Sequence, residues 1–348
     1  MTGRAARESE FMAEQSEYDV VIVGGGPAGL AAALYTARDR YGTLVLEKNG
    51  LPGGQILLTE NIENYPGWEK IAGPDLIDRQ RKQVERFGAR IAVNKAADSL
   101  KRRDDGKLEV AVNGGRESYV ARAVILAPGS HYRKLGVPGE DEMRQAGKVS
   151  YCATCDGAFY RDKHVLTVGG GNTAVEDTIY LATRFVAKTT MIHRRKEFRA
   201  QRVLVEDLHK TAAQKAIDIK LPYVLEEIVG NREKTQIDHV TLRNVETNAA
   251  ERLKVDGVFV FVGMIPNTKW LRGVVKLNEA GYIACDCTTL KTTMPGVFVA
   301  GDCRQQAAMQ LATACGDGVL AAMEVKEYFK DPGAWAATMD ETGLVEGW

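Results

Sequence analysis

The stretch YDVVIVGGGPAGLAAALYTAR, residues 18–38, decides the fold. Tyr18–Val23 is a short run of β-forming residues, the glycines fall at Gly24-x-Gly26-x-x-Gly29, and a small-residue helical stretch runs from Leu30 to Arg38. TLVLE, Thr43–Glu47, supplies a second strand. Within this βαβ opening one glycine allows a tight turn. Another lets backbone N–H groups approach a pyrophosphate at the positive end of the helix, with Pro27 and Ala28 completing the turn. Glu47 ends the second strand, where a carboxylate accepts hydrogen bonds from the hydroxyls of an unphosphorylated ribose. Three glycines alone are compatible with a plain turn; the strand, the helix and the terminal acid together specify a dinucleotide site.

The same grammar returns in KHVLTV (Lys163–Val168), followed by Gly169-x-Gly171-x-x-Ala174 with Asn172 and Thr173 inside it, an acidic helix start at Glu176 and Asp177, and the strand TTMIH, Thr189–His193. The acid is replaced here by His193, Arg194 and Arg195, with Arg199 close behind. A carboxylate would repel a ribose 2′-phosphate, whereas guanidiniums offer it planar, charge-assisted hydrogen bonds. HRRKEFR also reads as a solvated basic face, as most charge runs do, but it stands at the fingerprint's own readout point. The second site is therefore expected to hold NADPH.

Two such openings predict an α/β chain of two Rossmann-like nucleotide-binding domains. VILAPG (Val124–Gly129) and VFVAGD (Val297–Asp302) read as buried strands that end in glycine turns, before and after an insertion. The expected domains are 17–129 and 261–330 for a discontinuous first domain and 130–260 for the inserted second one. Residues 1–16 read as a flexible N-terminal extension and 331–348 as an irregular C-terminal tail whose tryptophans dock on a surface.

Cys152 and Cys155, in YCATCDG, stand three apart, a spacing that can close a disulfide. A zinc half-site would need a second pair at suitable spacing; Cys285-x-Cys287 does not provide it, and the five histidines are scattered. Two inert buried thiols are the bland alternative, and no metal is expected. Asp156 can serve as general acid and base for a departing thiolate, or as a helix-start carboxylate satisfying backbone N–H groups. Cys285, Cys287, Cys303 and Cys315 read as ordinary structural thiols.

Composition excludes other classes. Of 348 residues 45% are hydrophobic and 26% charged, as in a globular protein, and Lys plus Arg balances Asp plus Glu at 46 each. No global field draws the chain to nucleic acid, and no apolar run approaches the ~20 residues of a membrane-spanning helix. A cytoplasmic address is expected by default.

GGGPAG, GGQ (Gly53–Gln55), CATCDG, GGGNTAVE, HRRKEFRA and PGVFVAGD occur in this order, and over residues 18–330 the chain resembles the low-molecular-weight thioredoxin reductases. The resemblance implies a homodimer with one FAD and one NADPH per subunit, reducing thioredoxin or a similar small dithiol protein. It makes Cys155 the thiol facing the flavin, Cys152 the one attacking the partner and Asp156 the acid and base. To the two glycine loops it adds Gly54, Gln55, Asn64, Gly129, Gly301, Asp302 and Gln310 as cofactor contacts. The chain departs from the family where Met309 replaces the usual Arg and where APG at Ala127–Gly129 replaces ATG. Reduction of another redoxin, or oxidation of a small-molecule dithiol, is the alternative chemistry.

Overall fold

The structure, a computed structural model, describes residues 16–59 and 62–337. The N-terminal extension before residue 16 and the tail beyond residue 337 lie outside the described residues. The chain divides into two compact units, one formed by the residues up to His131 together with those from Ile265 on, the other by Tyr132–Met264.

The first unit begins with β1 (Glu17–Val23), α1 (Pro27–Arg38), β2 (Thr43–Leu46), α2 (Gly73–Arg86), β3 (Arg90–Ala92), β4 (Ala97–Arg102), β5 (Leu108–Val112) and β6 (Glu117–Leu126). β1 lies between β2 and β6 in parallel register, with Val20 opposite Thr43 on one side and Ala123 on the other. A central parallel strand is covered on both faces, which is why Val20–Val23 and Leu44–Leu46 are apolar without alternation and fully buried. β4 and β5 extend the sheet antiparallel from β6. α1 starts at Pro27, three residues before the stretch recognised from sequence, because proline's fixed φ suits a first helical turn and its missing N–H is not needed there.

The chain leaves this unit in β7 (Ser130–Tyr132). The second unit contains α3 (Glu140–Gln145), β8 (Val149–Ser150), α4 (Ala153–Asp156), β9 (His164–Val168), α5 (Asn172–Arg184), β10 (Lys188–Ile192), α6 (Arg202–Ala212), β11 (Ile217–Lys220), β12 (Tyr223–Gly230), β13 (Ile237–Asn244), β14 (Ala250–Leu253) and β15 (Gly257–Val260). Five strands form a parallel sheet in the order β11-β10-β9-β15-β8, and β12-β13-β14 form a separate antiparallel sheet that the sequence pattern did not signal. α5 begins at Asn172 rather than at the acidic pair, so Glu176 and Asp177 lie inside the helix.

After β16 (Met264–Pro266) the first unit resumes. β17 (Val297–Val299) joins its sheet parallel to β6, with Phe298 opposite Ile125, and α7 (Leu311–Lys330) follows. Both halves thus bury one core, since Val20–Val23, Val124–Leu126 and Val297–Val299 share a single cluster. Trp335 closes it from a short 3-10 helix at Pro332–Ala337, edge-on to Phe298 and Tyr328 at 5.0 and 5.4 Å. Among the described residues no helix is long and apolar enough to cross a membrane.

Candidate active site

In the first unit the glycine loop is shaped by close approach. A Cβ on Gly29 would stand 1.9 Å from the Gly24 carbonyl oxygen, and Gly24 itself has φ +109°, so neither position admits a side chain. At Gly26, the residue preceding α1, a Cβ would meet nothing within 4 Å. The loop is therefore tight against the protein on one side and open on the other, in front of the unpaired N–H groups of the first turn of α1, which also carries Pro27 and Ala28.

Glu47 follows β2 and is 4% exposed. One carboxylate oxygen accepts from Gly25 N at 2.9 Å, the other from Asn49 N and Nδ2, both at 2.8 Å. Gly54 lies against Gly26, where its Cβ would be 3.5 Å from the Gly26 Cα. Gln55 Nε2 donates to Ser130 O at 3.3 Å, and Asn64 Nδ2 donates to Gln310 Oε1 at 3.4 Å at the start of α7. Gly129 turns the chain with φ +65°, its carbonyl accepting from Asn267 N at 3.0 Å.

Gly301 and Asp302 follow β17 and are held by two residues that the motifs did not single out. Asp317 in α7 accepts from Gly301 N at 2.9 Å and takes a bidentate pair from Arg304, Nε at 2.7 Å and Nη2 at 2.9 Å. Arg304 and Asp317 side chains are each 12% exposed, so the ion pair is well shielded from water. In the sequence Asp317 stands between Gly316 and Gly318, and nothing in its spacing ties it to Arg304.

Burial, and then the Asp317 carboxylate, push Asp302 up from its ordinary 3.8 to about 6, while Arg304 pulls the other way. The folded chain thus holds this proton more tightly than the unfolded chain. Asp302 is not destabilising below the unfolded value, and its penalty grows as pH rises through about 6, to at most about 3 kcal/mol. Asp302→Asn should therefore make the ligand-free protein more stable at pH 8 by ~1–3 kcal/mol and flatten the fall in stability between pH 4 and 7. Urea unfolding across that range is the check, and an unaltered slope would contradict the account.

The second unit repeats the loop with a different readout. A Cβ on Gly170 would stand 2.4 Å from His193 Nδ1, so the imidazole lies flat against the loop, while Gly171 is open in the way Gly26 is. Asn172 and Thr173 are exposed at the start of α5, and Ala174 is buried behind them. Arg199 N and Ala200 N both donate to Gly170 O, at 2.7 and 3.2 Å, and Gln201 N donates to Asn172 Oδ1 at 2.9 Å. These bonds fasten the basic segment to the glycine loop.

His193 is 6% exposed, stacks on Phe198 and has a buried Nε2 without a hydrogen-bond partner. Burial lowers its pKa, and Arg199, Arg194 and Arg195 lower it further. The imidazole is thus neutral, and the exposed guanidiniums of Arg194, Arg195 and Arg199 carry the positive charge beside the loop.

Cys152 and Cys155 form a disulfide in this same unit, with their Cα atoms 5.3 Å apart. Cys152 caps α4, its sulfur accepting from Cys155 N at 3.2 Å, and Cys155 is exposed. Asp156 ends α4 and accepts from Ser150 Oγ at 2.6 Å, while that hydroxyl accepts from Cys152 N at 3.1 Å. Burial raises the Asp156 pKa and the Ser150 bond partly offsets this. Ser150, at the end of β8, was not singled out from sequence, although it precedes the motif by only two residues.

Comparison with known proteins shows the family of the chain. The pyridine nucleotide-disulphide oxidoreductase family matches residues 18–318. The thioredoxin reductase of Bacillus subtilis is 42% identical over 92% of this chain and 97% of its own length. The crystal structure of thioredoxin reductase from Streptococcus pyogenes MGAS5005 superposes with a TM-score of 0.83 at 39% identity, covering 91% of this chain and 99% of that one. That of Giardia duodenalis gives 0.82 at 32% identity, covering 91% and 100%. With two dinucleotide loops, a closed Cys152–Cys155 pair and these relatives along almost its full length, the chain is an oxidoreductase and belongs to the pyridine nucleotide-disulphide oxidoreductase family.

Proposed function

We propose that this chain reduces the disulfide of thioredoxin with electrons from NADPH, relayed by FAD and by its own Cys152–Cys155 pair. The observation that carries the reading is the disulfide itself, closed beside a half-buried carboxyl in the same unit as a dinucleotide loop flanked by three arginines.

FAD and NADPH are the cofactors of this family, and the two loops fit them. The first loop, with Glu47, suits the adenosine diphosphate of FAD. Gly24, Gly26, Pro27, Ala28 and Gly29 shape its phosphate cradle, and Glu47, already aligned by Asn49, has lone pairs left for a ribose. Gly54, Gln55, Asn64, Gly129, Gly301, Asp302 and Gln310 would line the rest of the flavin site. The second loop suits NADPH, with Gly169, Gly171, Asn172, Thr173 and Ala174 at the pyrophosphate. His193, Arg194, Arg195 and Arg199 would surround the 2′-phosphate.

When bound, FAD supplies the two-electron link between the nicotinamide and the disulfide. On the protein side, two electrons and two protons convert Cys152–Cys155 to a dithiol. Cys152 as thiolate attacks one sulfur of the partner's disulfide, and the partner's other sulfur leaves. Cys155 then attacks Cys152, which re-forms the pair and releases the partner as a dithiol. Asp156 passes the proton in these steps: burial raises its pKa and so eases protonation of its carboxylate, and Ser150 fixes its orientation towards the pair. The proposed assembly is a homodimer and the proposed address the cytoplasm, where thioredoxin-type partners are kept reduced.

Anaerobic titration with NADPH, with and without thioredoxin, tests this reading. The expected result is a yellow protein that releases FAD, bleaches with NADPH and turns over only when thioredoxin is added. Bleaching without thioredoxin-dependent turnover would direct the chemistry to another redoxin. A flavin that dithiols reduce but NADPH does not would direct it to a dithiol oxidase.

A further inference from the structure

Among the described residues four cysteines are free, and three of them, Cys285, Cys287 and Cys303, belong to one small region of the first unit. Ile283 bridges to Arg304, with Ile283 N donating to Cys303 O and Gln305 N donating to Ile283 O, both at 2.9 Å. Gln305 Nε2 adds a bond to Cys285 O at 2.9 Å. The backbone that carries Cys285 is thereby held from one side.

Asp286, between the two neighbouring cysteines, anchors the turn that follows. Its carboxylate accepts from Thr288 N, Thr288 Oγ1 and Thr289 Oγ1 at 2.7–2.8 Å, and its carbonyl accepts from Leu290 N at 2.7 Å. Cys287 is folded towards Cys285: its thiol lies 3.9 Å from Cys285 O and 3.5 Å from Gln306 Oε1. Two residues of chain span at most about 7 Å, and less where a turn begins, as it does at Cys287, which brings the pair into the Cα separation of roughly 4.4–6.8 Å that a disulfide accepts. Cys303 is committed elsewhere, completely buried, with its thiol directed at Ala300 O at 3.4 Å and Leu126 O at 3.6 Å.

We propose that Cys285 and Cys287 are a second oxidisable dithiol, distinct from Cys152–Cys155, which hydroperoxides close to a disulfide. The two thiols differ in access. Cys287 is exposed and meets the oxidant, whereas Cys285 is 2% exposed and waits behind it. Burial, together with the neighbouring Cys287, raises the Cys285 pKa, so Cys285 remains a thiol until an electrophilic sulfur is presented to it.

In the first step the Cys287 sulfur attacks the peroxide, the O–O bond breaks, an alcohol or water leaves and Cys287 becomes a sulfenic acid. In the second the Cys285 sulfur attacks Cys287, the S–O bond breaks, and the hydroxyl departs as water with the Cys285 proton. Two electrons have passed from the sulfurs to the peroxide. The inference is independent of the reading of the NADPH and flavin sites, because neither step uses them.

The test is made on the full-length flavin-loaded enzyme, reduced with dithiothreitol, freed of it, exposed to hydrogen peroxide and alkylated before digestion. Peptide 277–291 carries both cysteines and no other, and cleavage before Asp286 separates them. The expected result is a peptide lacking two hydrogens and resistant to alkylation, which Asp286-directed cleavage leaves as two linked fragments. Dithiothreitol should restore both alkylation sites.

Cys287→Ser, at an exposed position, should leave Cys285 alkylatable after the same exposure. Cys285→Ala should leave Cys287 without a resolving thiol, so that it proceeds to sulfinic and sulfonic acid and is no longer rescued by dithiothreitol. The proposal is overturned if wild-type Cys287 over-oxidises as fast as in Cys285→Ala, if both thiols stay alkylatable, or if Cys285 is found linked to Cys303. Wild type and Cys287→Ser decide the matter even if Cys285→Ala fails to fold.

Discussion

Cys155→Ser should abolish NADPH-dependent reduction of thioredoxin, lowering turnover by at least about a thousandfold, while NADPH still bleaches the flavin. The size follows from what is removed. Serine cannot form the disulfide that receives the two electrons, and it cannot release the partner from a mixed disulfide with Cys152. A thousandfold loss corresponds to about 4 kcal/mol of barrier, a modest figure for deleting one member of a unit whose parts act only together. The dinucleotide loops do not involve this sulfur, so NADPH affinity should be unchanged and the loss should fall on kcat. Stopped-flow flavin absorbance and steady-state thioredoxin reduction, measured on the same preparation, separate the two half-reactions. Residual turnover within tenfold of the parent would show that electrons reach thioredoxin by another route, and the role proposed for the pair would fail.

How far the site could be read in advance depended on whether its requirements fall on neighbouring residues. Gly24 and Gly29 are five residues apart, and the close approach of one to the other excludes a Cβ at Gly29 locally, so the pattern stands in the sequence. The same holds for Cys152, Cys155 and Asp156, which one short helix presents together. The Arg304–Asp317 pair had no such signal. It forms because β17 delivers Gly301 beside α7, a tertiary event that no periodicity records. The helix starts were misplaced for a related reason. Pro27 and Asn172 belong at once to a glycine loop and to a first helical turn, and pattern reading assigned them to the loop. Cys285 and Cys287 read as structural thiols because burial is the ordinary state of cysteine, and only the turn around Asp286 reveals that one of the two is exposed and directs its thiol at the other's carbonyl.

Arg194→Ala/Arg195→Ala should raise the KM for NADPH by one to two orders of magnitude and leave the KM for NADH nearly as it was. Charge-assisted hydrogen bonds contribute about 1.5–3 kcal/mol each, and tenfold in affinity corresponds to about 1.4 kcal/mol, so two such contacts correspond to a change in binding of about a hundredfold to somewhat over ten-thousandfold. Both side chains are exposed, however, and screening by solvent and salt brings each nearer the lower end. The phosphate is remote from the nicotinamide, so its contacts stabilise ground and transition states alike. Their loss should therefore appear in KM with kcat unchanged. His193 supplies an internal control. Its pKa is depressed first by burial and then by Arg199, both of which the double variant keeps, so losing the smaller effects of Arg194 and Arg195 should relieve the depression only in part. NADPH binding should therefore strengthen with falling pH only slightly more in the double variant than in the parent. The ratio of kcat/KM for NADPH and NADH, followed from pH 5.5 to 8, measures both effects. If the parent already prefers NADH, or if the double variant binds NADPH as the parent does, the basic run is a solvated face and the 2′-phosphate is read elsewhere.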